Sequence, residues 1–185
     1  MPQTLIYPSP ELPPDLKCQI LAYIRAEWWW VFQGANRFWD YTVKDTHPVN
    51  VAIVENGVLI SHAEVNWRTL EHRGATYKVY GISAVFTNPP FRKEGFGQQV
   101  VEAATQYIRD SDADVAMLFC LPAMQDFYAR CGWIHMANTR ILFGAKDAPD
   151  VDKVESLMML FVSEKGNAAQ SLFEGDGVYV GKHTW

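Results

Sequence analysis

The chain has 185 residues, 49% apolar and 20% charged, with 16 Lys and Arg against 21 Asp and Glu for a net charge of −5. That length and composition imply one globular domain, residues 1–185, with room for a substantial core. The acid excess and the lack of a Lys/Arg stripe argue against a nucleic-acid partner and favour a cationic substrate, and no apolar run approaches the ~20 residues of a membrane span.

The N-terminus lacks a basic segment followed by an apolar one, and Pro8, Pro10, Pro13 and Pro14 are incompatible with a signal helix. Cys18, Cys120 and Cys131 are odd in number, widely spaced and set among apolar residues. They are expected to be reduced packing residues, not a disulfide or metal framework, in a cytoplasmic protein.

Thr4 to Tyr7 has the pattern of a short strand. A helix is expected to start near Pro14 and Asp15 and to place Leu16, Ile20, Tyr23 and Ile24 on one face. It runs into Trp28, Trp29 and Trp30, whose side chains must diverge, so at least one should be poorly buried. The cluster either caps the core or forms an aromatic wall for a substrate or a dimer contact. Gly34 to Tyr41 reads as a loop or short helix carrying Trp39 and Asp40.

Val49 to Val54 and Val58 to Trp67 are expected strands joined by Asn56 and Gly57, a strong hairpin signal. The second alternates Ile60, His62, Glu64 and Asn66 against Leu59, Ser61, Ala63, Val65 and Trp67. Its polar face is either wet or the wall of a substrate cleft. The stretch from Arg68 to Ala75 should turn the chain into a long central strand, Thr76 to Thr87, closed by Asn88, Pro89 and Pro90.

Beyond that turn, Phe96, Val100, Ala104 and Ile108 recur at spacing four, with Val101 and Tyr107 beside them, and draw an apolar helical stripe. Phe91 to Gly97 is therefore a Gly-containing turn leading into a helix. The first N–H groups of a helix have no intrahelical partner and sit at the positive end of the macrodipole, so an anion is the natural occupant. Gly95 and Gly97 would let phosphate oxygens approach the main chain, and Arg92 and Lys93 add charge. A pyrophosphate would fit, although the spacing is neither that of Gly-x-x-x-x-Gly-Lys-Ser/Thr nor that of Gly-x-Gly-x-x-Gly.

Val115 to Leu121 reads as a strand, followed by a short helix with Pro122 near its first turn and Gly132 just past its end. Thr139 to Phe143 and Leu157 to Val162 supply the last strands, separated by an acidic loop with Asp147, Asp150 and Asp152.

Arg92-x-x-Gly95-x-Gly97, a strand, then Phe127-Tyr128-x-x-x-Gly132-Trp133 resembles the GCN5-related N-acetyltransferase (GNAT) superfamily. The resemblance implies an α/β acyl-CoA N-acyltransferase fold, a mixed and mostly antiparallel sheet flanked by helices with a splayed central parallel pair. It implies acetyl-CoA as co-substrate and no metal. Main-chain groups of Val85, Phe86 and Thr87 would pair with the pantetheine arm. Those of Arg92, Lys93, Glu94, Gly95, Phe96 and Gly97 would hold the pyrophosphate. An N–H near Val85 would serve the oxyanion, and Tyr128 would protonate the departing thiolate. An aromatic on a helix can also simply pack.

Gly57 to Ala63, Arg73-Gly74, Tyr128 to Trp133 and the terminal Trp185 look further like the aminoglycoside 2′-N-acetyltransferase branch. That likeness implies an amino-sugar acceptor held by acidic residues and Trp185, with residues 166–185 contributing to the acceptor site. This chain has Ser83 where the branch carries a carboxylate, and His183 where it has an acid. A base must then come from elsewhere: Glu64 or His62, with Asp40 drawing a cationic substrate. The expected activity is acetyl transfer to a primary amine of a small cationic compound, amino-sugar-like or polyamine-like. The competing readings are a non-catalytic acyl-CoA-binding module and an aromatic-rich interaction protein. Aromatic-rich surface would favour a homodimer.

Overall fold

The computed structural model describes residues 1–40 and 46–182. Its strands are β1 (Gln3–Pro8), β2 (Val49–Glu55), β3 (Val58–His72), β4 (Ala75–Thr87), β5 (Val115–Cys120), β6 (Ile134–His135), β7 (Ile141–Ala145), β8 (Ala148–Val151), β9 (Ser156–Phe161) and β10 (Val178–Tyr179). The α-helices are α1 (Pro14–Glu27), α2 (Phe96–Arg109), α3 (Gln125–Arg130) and α4 (Glu164–Ala168). The larger sheet has the hydrogen-bonded order β1-β2-β3-β4-β5-β9-β6, and a small sheet the order β10-β7-β8. This is the expected α/β architecture. The chain forms two compact units, Met1–Asn66 with Ala84–Ala104, and Trp67–Ser83 with Thr105 onward.

In the first unit, α1 starts on Pro14, whose fixed φ suits the first helical position, and buries Leu16, Ile20 and Ile24. These pack with Ala52, Val54, Leu59 and Phe86. The helix ends where Trp28 donates its N–H to the Ile24 carbonyl at 2.9 Å. As the bulk of three consecutive indoles demands, Trp29 and Trp30 stay 61% and 56% exposed, while Trp28 is half-buried. The Asn56 and Gly57 turn has φ of 50° and 77°, the left-handed pair that a two-residue hairpin needs. The strands it joins pair from Val49 against Val65 to Glu55 against Val58.

In the second unit, β3 runs on to His72 instead of turning after Trp67, because Leu70 and His72 continue its buried alternation. A second tight turn, Arg73 (φ 50°) and Gly74 (φ 79°), then reverses the chain. β4 pairs in parallel with β5 at Val79, Tyr80 and Gly81 against Val115, Ala116 and Met117. The expected acidic loop is partly a strand. β8 pairs with β7 from Leu142 against Val151 to Ala145 against Ala148, and Pro149 is tolerated because β8 lies at a sheet edge.

The core of this unit gathers Tyr77, Val79, Val115, Met117, Leu157, Met159 and Phe173. Phe173, Val178 and Val180 come from the C-terminal stretch and are fully or almost fully buried, so residues 166–182 are built into this unit. Asp114 ties its edge together, accepting from the Lys78 N–H (2.9 Å), the Ser163 hydroxyl (2.9 Å) and the Lys165 ammonium (2.8 Å). Cys120 and Cys131 are buried as expected, but Cys18 is exposed, since its position on α1 lies off the Leu16, Ile20, Ile24 stripe.

Candidate active site

The turn ahead of α2 has the build of an anion cradle. Lys93 and Gly95 adopt φ of 70° and 89°, and such left-handed residues in a turn direct successive N–H groups to one side. Gln99 donates to the Gly95 carbonyl at 3.0 Å, which leaves the first-turn N–H groups of α2 without intrahelical acceptors. A Cβ on Gly95 would meet nothing within 4 Å. Glycine is required there by the backbone angle, not by crowding. The Arg92 side chain is already engaged: its Nε donates to the Thr87 carbonyl (3.0 Å) and its guanidinium to the Tyr23 hydroxyl (2.5 Å). Lys93 and Glu94 are exposed and Gly97 lies in the first turn of α2.

Just before this turn β4 is irregular. Ala84 has φ 47°, a conformation that costs an L-residue about 1 kcal/mol. Its carbonyl lies 2.9 Å from Nδ1 of His62. The His62 ring is fully buried, and Nε2 lies 3.0 Å from the side-chain amide of Asn50, which in turn is 2.9 Å from the Ser9 hydroxyl. Burial lowers the imidazole to about 4, with the Ala84 carbonyl opposing. The ring is thus neutral near pH 7. Its Nδ1 faces the Ala84 carbonyl and its Nε2 the Asn50 carbonyl oxygen, while the Asn50 NH2 group donates to the Ser9 hydroxyl. So weak a base, with both nitrogens occupied, is poorly suited to deprotonate an ammonium.

Ser61, also fully buried, donates to the Phe86 carbonyl at 2.8 Å and lies 2.9 Å from the Thr87 hydroxyl. The Phe86 ring stacks on Tyr23 with centroids 3.9 Å apart, so its side chain belongs to the core. Val85 and Thr87 are half-buried.

The polar face of β3 is not wet. Glu64 is 7% exposed and accepts from Asn66 at 2.9 Å. It lines a cavity of about 40 Å³ together with Ser9, Lys17, Ile20, Asp40 and Asn50. Two of the acids singled out in the sequence therefore meet in one small chamber. Asp40 is exposed and 3.7 Å from the Lys17 ammonium.

Tyr128, in the second unit, is buried on α3. Its carbonyl accepts from Cys131 (3.0 Å) and Trp133 (3.2 Å), and the Trp133 indole donates to Thr105 at 2.9 Å, fixing the end of the helix. Burial, then Cys120, Cys131 and Glu155, push the phenol well above its usual range. Glu155, half-buried, is itself raised by burial and Asp152. Tyr128 therefore holds its proton at any physiological pH. Ser83 is half-buried on β4, and Trp185 and His183 lie outside the described residues.

Sequence reasoning missed Asn50, Ser61, Lys17 and Glu155. Asn50 carried a usable signal, a lone polar residue inside the apolar run Val49 to Val54. Among the described residues no cluster of three or more His, Cys, Asp or Glu could hold a metal ion, and no helix is long and apolar enough to cross a membrane.

A family model described as an acetyltransferase (GNAT) domain matches residues 26–136. Among solved structures, Escherichia coli ElaA shares the fold with a TM-score of 0.62 at 16% identity, over 86% of this chain and 99% of that one. The GNAT family N-acetyltransferase YhbS from Escherichia coli, in complex with CoA, gives 0.59 at 16% identity, over 99% and 91%. A GNAT family acetyltransferase from Brucella melitensis, in complex with acetyl-CoA, gives 0.55 at 16% identity, over 87% and 89%. No curated protein matches the chain.

Proposed function

The chain belongs to the GNAT acetyltransferase family, and from that premise we propose that it moves the acetyl group of acetyl-CoA to a primary amine of a small cationic compound, an amino sugar or a polyamine-like molecule. The observation that carries the acceptor class is the chamber where Glu64 and Asp40 meet. Glu64 has a carboxylate held out of bulk water, Asp40 a carboxylate at the rim, and Lys17 offsets one of the two charges. A single ammonium suits that balance.

The residues divide the work. N–H groups from Arg92 to Gly97, on the cradle ahead of α2, bind the pyrophosphate. Main-chain groups of Val85, Phe86 and Thr87 line the pantetheine arm, with the Phe86 carbonyl also accepting from Ser61. Glu64 takes a proton from the acceptor ammonium, directly or through water, and the freed amine attacks the thioester carbonyl carbon. The Val85 N–H donates to the carbonyl oxygen as charge develops on it. As the carbon–sulfur bond breaks, Tyr128 gives its phenolic proton to the leaving thiolate. The extra proton on the attacking nitrogen passes to the Tyr128 phenolate, leaving a neutral amide, the CoA thiol and a protonated Glu64 that returns its proton to water. Ser83, and Trp185 by resemblance to the aminoglycoside 2′ branch, contact the acceptor.

Free thiol release from acetyl-CoA with a panel of amino sugars, polyamines and neutral amines tests this reading. Turnover should appear with the cationic members, and Glu64→Gln should lower kcat/KM by about tenfold or more. A Glu64→Gln profile identical to the native one across pH removes Glu64 from the mechanism. The second reading, a non-catalytic acyl-CoA-binding module, is favoured by Ser83 standing in place of an acid, and predicts CoA binding with no turnover on any amine.

A further inference from the structure

We propose that His62 is a positioning residue: by holding the carbonyl of Ala84 it aims the N–H of Val85, the main-chain donor for the acyl oxygen, an inference that rests on the acetyl-transfer reading above.

The Ala84 carbonyl and the Val85 N–H belong to one planar trans peptide and point in opposite directions, so fixing the first fixes the second. That peptide follows a residue at φ 47°, a conformation that persists only where its surroundings enforce it. His62 supplies the enforcement. Its Nδ1 lies 2.9 Å from the Ala84 oxygen and its ring 5.2 Å from the Phe86 ring. Asn50 engages Nε2 at 3.0 Å and is itself engaged by Ser9. A fully buried ring tethered at both nitrogens cannot turn, and the peptide it holds cannot turn either.

The preceding residue works in the same way. Ser61 Oγ donates to the Phe86 carbonyl at 2.8 Å, which sets the peptide carrying the Thr87 N–H. Two adjacent side chains of β3 thus orient two alternate peptides of β4. Asn50 and Ser9 also line the Glu64 chamber, so the tether of His62 borders the space assigned to the acceptor.

The test compares His62→Leu, which removes the donor, with His62→Asn, whose NH2 group can replace Nδ1–H. Steady-state kinetics are read beside the Val85 amide signal in an assigned nitrogen–proton spectrum. His62→Leu should lower kcat about 100-fold while changing the KM for acetyl-CoA by no more than about threefold, and should move the Val85 signal. His62→Asn should recover most of the rate and return the signal toward its native place. A folded His62→Leu protein with native kcat and an unmoved Val85 signal overturns the proposal. So does a His62→Asn protein as slow as His62→Leu with a native Val85 signal, because the imidazole itself would then be reacting. If the native protein turns over no amine, the acetyl-transfer reading fails, and the Val85 signal alone decides whether His62 sets this peptide. Should His62→Leu not fold, Asn50→Ala loosens the ring from its other side. A smaller fall in kcat with a Val85 shift then supports the proposal, and no change in either overturns it.

Discussion

The two compact units of this chain bury different things. The first keeps Thr46, Asn50, Ser61, His62, Glu64 and Asn66 inside, whereas the second buries His72, Thr105 and the tyrosines Tyr77, Tyr80 and Tyr128, and fills its centre with Phe173, Met117, Met159 and Leu157. A polar group taken out of water costs free energy unless it is hydrogen-bonded. In the first unit Ser61 and His62, the latter backed by Asn50, hold carbonyls at the irregular end of β4, while Glu64 accepts from Asn66 and lines the chamber. The second unit resembles a scaffold, with its polar ties, such as Asp114 to Lys78 and Lys165, near its edge. Buried polarity marks where the backbone is being aimed, and apolar burial marks what keeps the fold.

If that contrast is right, the largest loss of stability comes from the second unit. Phe173→Ala should lower the unfolding free energy by about 4 kcal/mol in denaturant titration. A loss under about 1 kcal/mol would mean that residues beyond Gly166 are not part of its core.

The next effect isolates the first unit and depends on pH. The unfolded chain binds a proton at His62 near the ordinary histidine value, but the folded chain refuses it until about 4. Stability present above roughly pH 6.5 is therefore lost as pH falls toward 4, by roughly 3 kcal/mol. Titrating carboxylates contribute to acid destabilisation in native protein and in His62→Asn alike. The difference between the two curves should thus shrink by about that amount on going from pH 7 to pH 4. A constant offset would show that His62 is not held neutral.

A smaller effect reaches into the second unit's one assigned chemical role. Tyr128→Phe should leave stability nearly unchanged and lower kcat about 100-fold, equivalent to about 2.7 kcal/mol. Native turnover in that variant would make Tyr128 a packing residue like its neighbour Phe127.

Much of the fold was legible because it is written in local rules. Asn56 and Gly57 specify their hairpin through backbone angles, and the stripe from Val100 to Ile108 specifies a helix through its period. At the Gly95 turn the φ of 89° calls for glycine and the space above the residue is open. β8 was missed because Pro149 and Asp150 disfavour a strand except at an edge, and edge position is a tertiary fact. The state of β3 was undecidable for the same reason. His62, Glu64 and Asn66 alternate as a solvated face would, and only the packing of α1 through Leu16, Ile20 and Ile24 makes that face interior. Charge was legible at Glu64 and Asp40, but their shared chamber was not, because residues 24 positions apart meet only through the fold.

The central claim is that the turn ahead of α2 holds the pyrophosphate of acetyl-CoA. Calorimetric titration of acetyl-CoA into the native protein and into a Gly95→Asp, Gly97→Asp double variant tests it most directly. Both substitutions put negative charge at the cradle, Gly95→Asp also strains its turn, and an acid in the first turn of a helix favours the helix itself. Tight binding by the native protein, abolished in a folded double variant, is the predicted result. No binding by the folded native protein, or equal binding by both, would contradict it.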